Sequence, residues 1–227
     1  MPDSDRMAGY DAVIFDNDGV LVEPPAIDTL LGATRSAFRE LGVESADDDH
    51  VAAMTLGVTM DELRKVCEAY ELDTEEFWRA RDTHASRAQR AEFREGDRSQ
   101  YDDVTVLRDL DHDLGIVSSN QHQTIEFILE HCEFGPLFDT YYGRELSVES
   151  IRRKKPEPYY IEAALADLDT DDALYVGDSE SDVVAAQRAG LDSAFVRRPH
   201  STGVELAAEP TYDVDDLHAV ADLVARP

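Results

Sequence analysis

Lysine is nearly missing from this 227-residue chain, occurring only as Lys65, Lys154 and Lys155. Lys and Arg together number 21 against 50 Asp and Glu, giving a formal net charge of −29 and a pI near 4.3. A field of that sign repels nucleic acid and anionic membrane surfaces, so neither is expected as a partner. Long apolar runs are lacking too: none approaches the roughly 18 residues that a bilayer-crossing helix requires. The start, Met1 to Arg6, is polar and acidic and has no apolar stretch of the kind a secretory leader carries. These absences make the cytoplasm the expected location. Cysteine is scarce, and Cys67 and Cys132 have neither metal-ligand spacing nor a secreted context, so both read as free thiols. What remains is ordinary globular composition, 42% hydrophobic and 8% aromatic. That is enough for one fair-sized core, or a core plus a small second module.

Four short apolar runs stand out along the chain. Tyr10 to Phe15 stops at Asp16-Asn17-Asp18-Gly19; Leu114 to Val117 stops at Ser118-Ser119-Asn120. Ala173 to Val176 stops at Gly177-Asp178, and Ser193 to Val196 follows Gly190, which ends a helical pattern. Each reads as a buried strand, and the stretches after the second and third have helical periodicity. Alternating strands and helices predict an α/β fold: a Rossmann-like parallel sheet core with helices on both faces. In such sheets ligands bind beyond the carboxyl ends of the strands, and Asp16, Ser118 and Asp178 all lie there. Between the first two strands, Ile27 to Glu95 is helical in pattern, with Leu30, Leu31, Ala37, Phe38 and Leu41 forming one stripe and Gly42 and Gly57 as punctuation. So long a segment is no loop. It predicts an inserted α-helical cap over residues 22–97, with residues 1–21 and 98–227 forming the α/β catalytic core. Tyr212 to Val224 predicts a short strand and a closing helix.

The polar residues at these strand ends have a common chemistry. Gly19 lets the backbone bend after Asp16 and Asp18, so both carboxylates can converge on one centre. One carboxylate can attack phosphorus while the other protonates a leaving alcohol and later activates water. A divalent cation is needed to bring anion to anion, and oxygen ligands of this kind suit Mg²⁺. Asp178 and Asp182 lie four residues apart at the mouth of a helix, roughly on one side. Ser118 can hold phosphate oxygens, and Lys154-Lys155-Pro156 places cations before a rigid turn. Taken singly, each feature also fits a surface turn, a helix cap or a solvated loop.

Together, in this order and spacing, the segments Asp16 to Val20, Leu114 to Ser118, Lys155 to Pro158 and Gly177 to Asp182 resemble the haloacid dehalogenase superfamily of phosphohydrolases. The resemblance covers nearly the whole chain. It implies that Asp16 is the nucleophile, passing through an aspartyl-phosphate, and Asp18 the general acid/base. It implies Mg²⁺ held by Asp16, the backbone carbonyl of Asp18, and Asp178. Ser118 and Lys155 would bind the transferring phosphoryl group, with Asp182 supporting the metal site or Lys155. The implied substrate is a small phosphorylated metabolite, phosphoglycolate or a sugar phosphate, handled by a monomer or homodimer. Two departures are visible: Ser119 separates Ser118 from Asn120, and Tyr101-Asp102-Asp103-Val104 stands where relatives often have Pro-Gly.

Other readings remain at this point. Dehalogenase members lack an acid at the second position, so Asp18 argues against them. Sugar-phosphate mutases of the β-phosphoglucomutase type carry a cap arginine shortly after a glycine; here Gly57-Val58-Thr59 leads to Met60, leaving Arg64 or Lys65 as substitutes. A non-catalytic binding protein on the same fold is the third reading. Arg79, Arg81, Arg87, Arg90 and Arg94 could steer an anion under the cap or lace a helix with salt bridges. The histidines, His84, His122 and His131 among them, show no metal-ligand spacing. The Asp-rich, Lys-poor surface resembles proteins of salt-loving archaea, and so much self-repulsion predicts folding that depends on high salt.

Overall fold

A computed structural model describes residues 9–225; the polar start read above as carrying no leader lies outside the described residues. Six parallel strands form one sheet: β1 (Ala12–Phe15), β2 (Asp113–Gln121), β3 (Thr140–Arg144), β4 (Ala173–Gly177), β5 (Asp192–Val196) and β6 (Tyr212–Val214). Their spatial order is β3-β2-β1-β4-β5-β6. The chain builds outward from β1 in one direction and then returns to build in the other. That reversal opens a crevice between the ends of β1 and β4.

Strand alternation explains why the inner strands are apolar throughout. Val13 and Phe15 of β1 join Leu114, Ile116, Leu174 and Val176 on one face of the sheet. That face is covered by α5 (His122–His131) and α9 (Leu217–Val224), through Ile125, Phe127, Leu217 and Val220. Ala12 and Ile14 point the other way, with Val117 and Tyr175, onto α7 (Tyr159–Asp167) and α8 (Glu180–Ala189). A strand buried on both faces cannot tolerate a polar residue until it ends, and Asp16 is the first residue past β1. The expected strands and closing helix are all found. One strand was not anticipated. β3 is an outer strand of Thr140, two half-buried tyrosines, Gly143 and Arg144, with too little apolar contrast to declare itself.

Between β1 and β2 the chain is helical: α1 (Ile27–Glu40), α2 (Asp48–Ala53), α3 (Met60–Ala69) and α4 (Thr74–Glu95). Their starts are locally encoded. Asp47 and Asp73 accept hydrogen bonds from the amides of Asp49 and Glu76, and Thr59 with Glu62 closes a capping box at α3. These helices share a hydrophobic cluster of their own, with Phe38, Met54, Leu63, Phe77 and Trp78 at its centre. Burying one such side chain stabilises by about 1.5–3 kcal/mol, so the cluster gives this segment an independent reason to be ordered. It is joined at its rim by Ile151, from α6 (Glu149–Arg153) between β3 and α7. Against the sheet side α4 adds polar contacts, Ser86 with Thr124 and Gln89 with Asn120 and Gln121, while Phe93 meets Phe127 of α5 edge-on. No helix of the described residues is long and apolar enough to cross a membrane.

Candidate active site

The register of the sheet puts Phe15 beside Val176, and the Asp16 amide donates to the Val176 carbonyl at 2.8 Å. Asp16 and Asp178 therefore leave adjacent strands at the crevice. The Asn17 carbonyl then accepts from the amides of Val20, Leu21 and Val22, folding the chain back sharply. Gly19 sits in that turn at φ +84°, and a Cβ there would lie 2.0 Å from Asp178 Oδ2. Gly177 is equally constrained, since a Cβ would meet that of Asp182 at 2.2 Å. Both glycines are required because carboxylates occupy the space beside them.

Lys155 is the cation at the centre of this group. Its ammonium reaches Asp182 Oδ1 at 2.5 Å, Asp16 Oδ1 at 2.9 Å, the Tyr175 hydroxyl at 3.0 Å and the Val117 carbonyl at 3.2 Å. Burial alone would lower its pKa, but Asp16 and Asp182 outweigh that and hold it well above the ordinary value, so Lys155 stays charged. Asp182 is fully engaged: Oδ1 takes Lys155, and Oδ2 takes the Ser179 amide and hydroxyl at the start of α8. It supports Lys155 rather than offering a free oxygen. Asp16 Oδ1 accepts from both Lys155 and the Asn17 amide, the latter at 2.7 Å. Burial, with the nearby charges of Asp182, Asp178 and Asp18, pushes the Asp16 carboxyl up despite Lys155.

A divalent cation fits this donor set. Oxygens of Asp16, Asp178 and Asp182 lie within 4.8 Å of one another, all hard and anionic. Burial and the neighbouring Asp182 raise the Asp178 carboxyl too, while the His200 ring, 2.5 Å from its Oδ2, offsets part of that. With Asp182 committed to Lys155 and Ser179, the carboxylates of this cluster left to hold such a cation are Asp16 and Asp178. His200 escaped the sequence reading, being 22 residues from Asp178 in a loop of no distinctive pattern.

A bulge in β2 brings Asn120 to Asp18. Pairing of β2 with β3 runs in register to Val117↔Tyr142 and resumes at Gln121↔Arg144, so two extra residues of β2 loop out between them. The bulge absorbs Ser119. It leaves Ser118 buried at the cleft, its Oγ accepting from the Asn120 amide, and brings Asn120 Nδ2 to Asp18 Oδ2 at 2.6 Å. The inserted Ser119 thus does not displace Asn120 from the centre. Asp18 Oδ1 accepts from Asn17 Nδ2 and from the buried Arg98, which also bonds Gln89 and the Glu23 carbonyl. Arg98 was invisible beforehand because nothing in its local sequence marks it.

Above these residues the cleft, about 490 Å³, continues against α4. The five arginines of that region divide. Arg81 is buried and lines the cleft, paired with Asp82 at 2.7 Å. Arg90 and Arg94 instead lie over the Phe127 ring of α5 at 4.9 and 4.7 Å, and Arg79 and Arg87 are exposed. The face formed by Arg87, Arg90 and Arg94 therefore rests partly on an aromatic ring, where salt bridges to acids were the simpler expectation. Arg144, at the end of the unanticipated β3, grips both oxygens of Asp82 and donates to the Ser119 carbonyl at 2.6 Å. On the far side, Asp103 replaces the Pro-Gly of the return segment with two bonds to Arg198 and one to the Leu217 amide. The two thiols, Cys67 and Cys132, are free and buried.

Known proteins share this fold. The pyrophosphatase PpaX of Bacillus cereus is 32% identical over 98 residues, 42% of this chain and 44% of that protein. The matched stretches span roughly half the length of such relatives. A predicted phosphoglycolate phosphatase from Haemophilus somnus 129PT superposes with a TM-score of 0.67 at 21% identity, covering 95% of this chain and 98% of that one. CbbY from Rhodobacter sphaeroides, in complex with phosphate, gives 0.64 at 20% identity over 91% and 93%. At such identities the structures establish the shared fold alone. The profile of the haloacid dehalogenase-like hydrolases matches residues 13–196, from the strand before Asp16 to the end of β5, and the chain belongs to that family.

Proposed function

We propose that this protein is a phosphoric monoester hydrolase that acts on a small phosphorylated metabolite through an aspartyl-phosphate on Asp16. The observation that carries the reading is the buried Asp16–Lys155–Asp182 arrangement with Asp178 beside it at the switch point of the sheet. Lys155 and the Asn17 amide fix Asp16 Oδ1, leaving Oδ2 to attack phosphorus. As the new P–O bond forms, the ester P–O bond breaks and Asp18 gives its proton to the departing alcohol. Asp18 then takes a proton from water, the water oxygen attacks phosphorus, and Asp16 is released with inorganic phosphate. For either step Asp18, which lines the cleft, must give up a hydrogen bond from Arg98 or Asn120. Ser118 and Lys155 steady the phosphoryl oxygens. Asp16, Asp178 and the Asp18 backbone carbonyl would hold Mg²⁺, which when bound offsets the charge on the phosphoryl oxygens.

Residues 22–97 act in this reading as a cap over a core of residues 1–21 and 98–227. Its own hydrophobic cluster supports that division. So do the paired connections, where Glu23 bonds Ser99 and the Tyr101 amide donates to Leu21. Phosphoglycolate and sugar phosphates are the substrates proposed, with a monomer or homodimer in a salt-rich cytoplasm as the setting. A mutase is the weaker reading, because Arg64 and Lys65 lie exposed on α3, away from the cleft.

Phosphate release from an aryl phosphate, with Mg²⁺ and molar KCl, tests the proposal. Wild type is expected to be active; Asp16→Asn and EDTA treatment are each expected to abolish turnover. Activity surviving Asp16→Asn would overturn the mechanism.

A further inference from the structure

The wall of the cleft holds more positive charge than the protein neutralises. Arg81 and Arg144 are 6% and 4% exposed, and both guanidinium groups lie 5.1 Å from the Trp78 ring. One carboxylate, the fully buried Asp82, serves them both. A third cation, Lys154, lines the same cleft, and its ammonium donates to the Val58 carbonyl at 2.8 Å. Three cations around one carboxylate leave two positive charges uncompensated, in a chain whose formal charge is −29. Buried charges are normally paired, so this excess is costly unless something else supplies the anion.

Hydrogen-bonding capacity points the same way. Arg81 spends three of its five N–H donors, on the Met54 and Thr55 carbonyls and Asp82. Lys154 spends one of three. The buried indole N–H of Trp78, also at the cleft, has no acceptor among the described residues. N–H groups left unspent on donor-only side chains fit a carboxylate or phosphate oxygen. Burial, then repulsion from Arg144 and Arg81, lowers Lys154 to about 8, although Asp82 and the exposed Glu62 of α3 act in the opposite sense.

We propose that Arg81, Arg144 and Lys154 form a second anion subsite, which receives a carboxylate or second phosphate on the ester whose phosphoryl group meets Asp16. The inference rests on the phosphatase reading above and narrows it to doubly anionic substrates. Lys154 and Lys155 are adjacent in sequence but serve different anions. Lys155 faces the transferring group among the acids, and Lys154 faces the distal group among the arginines.

The test compares phosphoglycolate, 1,3-propanediol bisphosphate and ethyl phosphate at fixed ionic strength. Wild type is expected to favour at least one doubly anionic ester over ethyl phosphate by about 30-fold in kcat/KM, the scale of a charge-assisted hydrogen bond. Whichever is favoured identifies the distal group as carboxylate or phosphate. Lys154→Met is expected to collapse that preference to within about threefold, and Lys154→Arg to restore it. Equal rates with all three esters, or a preference that survives Lys154→Met, would overturn the subsite. Calorimetry on Asp16→Asn reads the same preference without turnover. A preference in binding that Lys154→Met removes, in a wild type that hydrolyses none of the esters, would sink the hydrolase reading while leaving the subsite standing. Equal binding of all three would sink the subsite.

Discussion

At the strand ends, Asp16, Asp178 and Asp182 gather around one ammonium, Lys155. On the wall against α4, Arg81, Arg144 and Lys154 gather around one carboxylate, Asp82. The two clusters are charge inverses on one cleft, and each keeps a central counter-ion that makes the like charges tolerable. Each also has an excess that its own residues leave unmet. The floor lacks positive charge and suits a divalent cation; the wall lacks negative charge and suits an anion. The doubly anionic ester and the Mg²⁺ proposed above would answer both.

The comparison can be broken at its centres. Asp82→Asn removes the carboxylate that serves the wall and leaves two buried arginines without their counter-ion. A loss of about 3–5 kcal/mol is expected, read as a lower denaturation midpoint. Inorganic phosphate should restore more of that loss than it adds to wild type. Retention of wild-type stability in Asp82→Asn would show that the wall is not the charge-stressed site described.

A milder perturbation is pH. Lys154 is a cation below its pKa of about 8 and loses its proton above it. KM for the preferred doubly anionic ester should therefore rise as pH climbs through 8, by at most about tenfold per unit, while KM for ethyl phosphate stays flat. Lys154→Arg, which keeps its charge, should flatten the first curve. The smallest effect is expected outside both clusters. Arg90→Ala removes a guanidinium from the Phe127 ring and should cost about 0.5–1 kcal/mol of stability with KM unchanged. A raised KM would return that face of α4 to a role in substrate capture.

Much of the floor was legible in the chain because its residues follow directly on apolar strands. Asp16 and Asp178 are each positioned by where a buried strand must stop, and the glycines beside them report the crowding at Gly19 and Gly177. Ser118 was expected past a strand end too, but β2 runs on to Gln121 and Ser118 sits where its pairing with β3 breaks. Asp182 was placed by helical spacing from Asp178. The wall was almost illegible. Asp82 and Arg81 sit in a helix crowded with charges, where buried and exposed arginines look alike in sequence. Arg144 ends a strand with too little apolar alternation to be recognised, and Arg98 lies in the return from the helical segment with no local signature.

Alone, then, the sequence determined five of the sheet's six strands, the helical insertion after the first, and the acids at the strand ends, because periodicity and strand termination are local properties. Tertiary structure decided which arginines are buried and where the β2 bulge aims Asn120. It also decided that Lys154 and Lys155 face opposite clusters. Those outcomes depend on α4 packing across the ends of β2 and β3, a contact between segments some forty to sixty residues apart that no local pattern encodes.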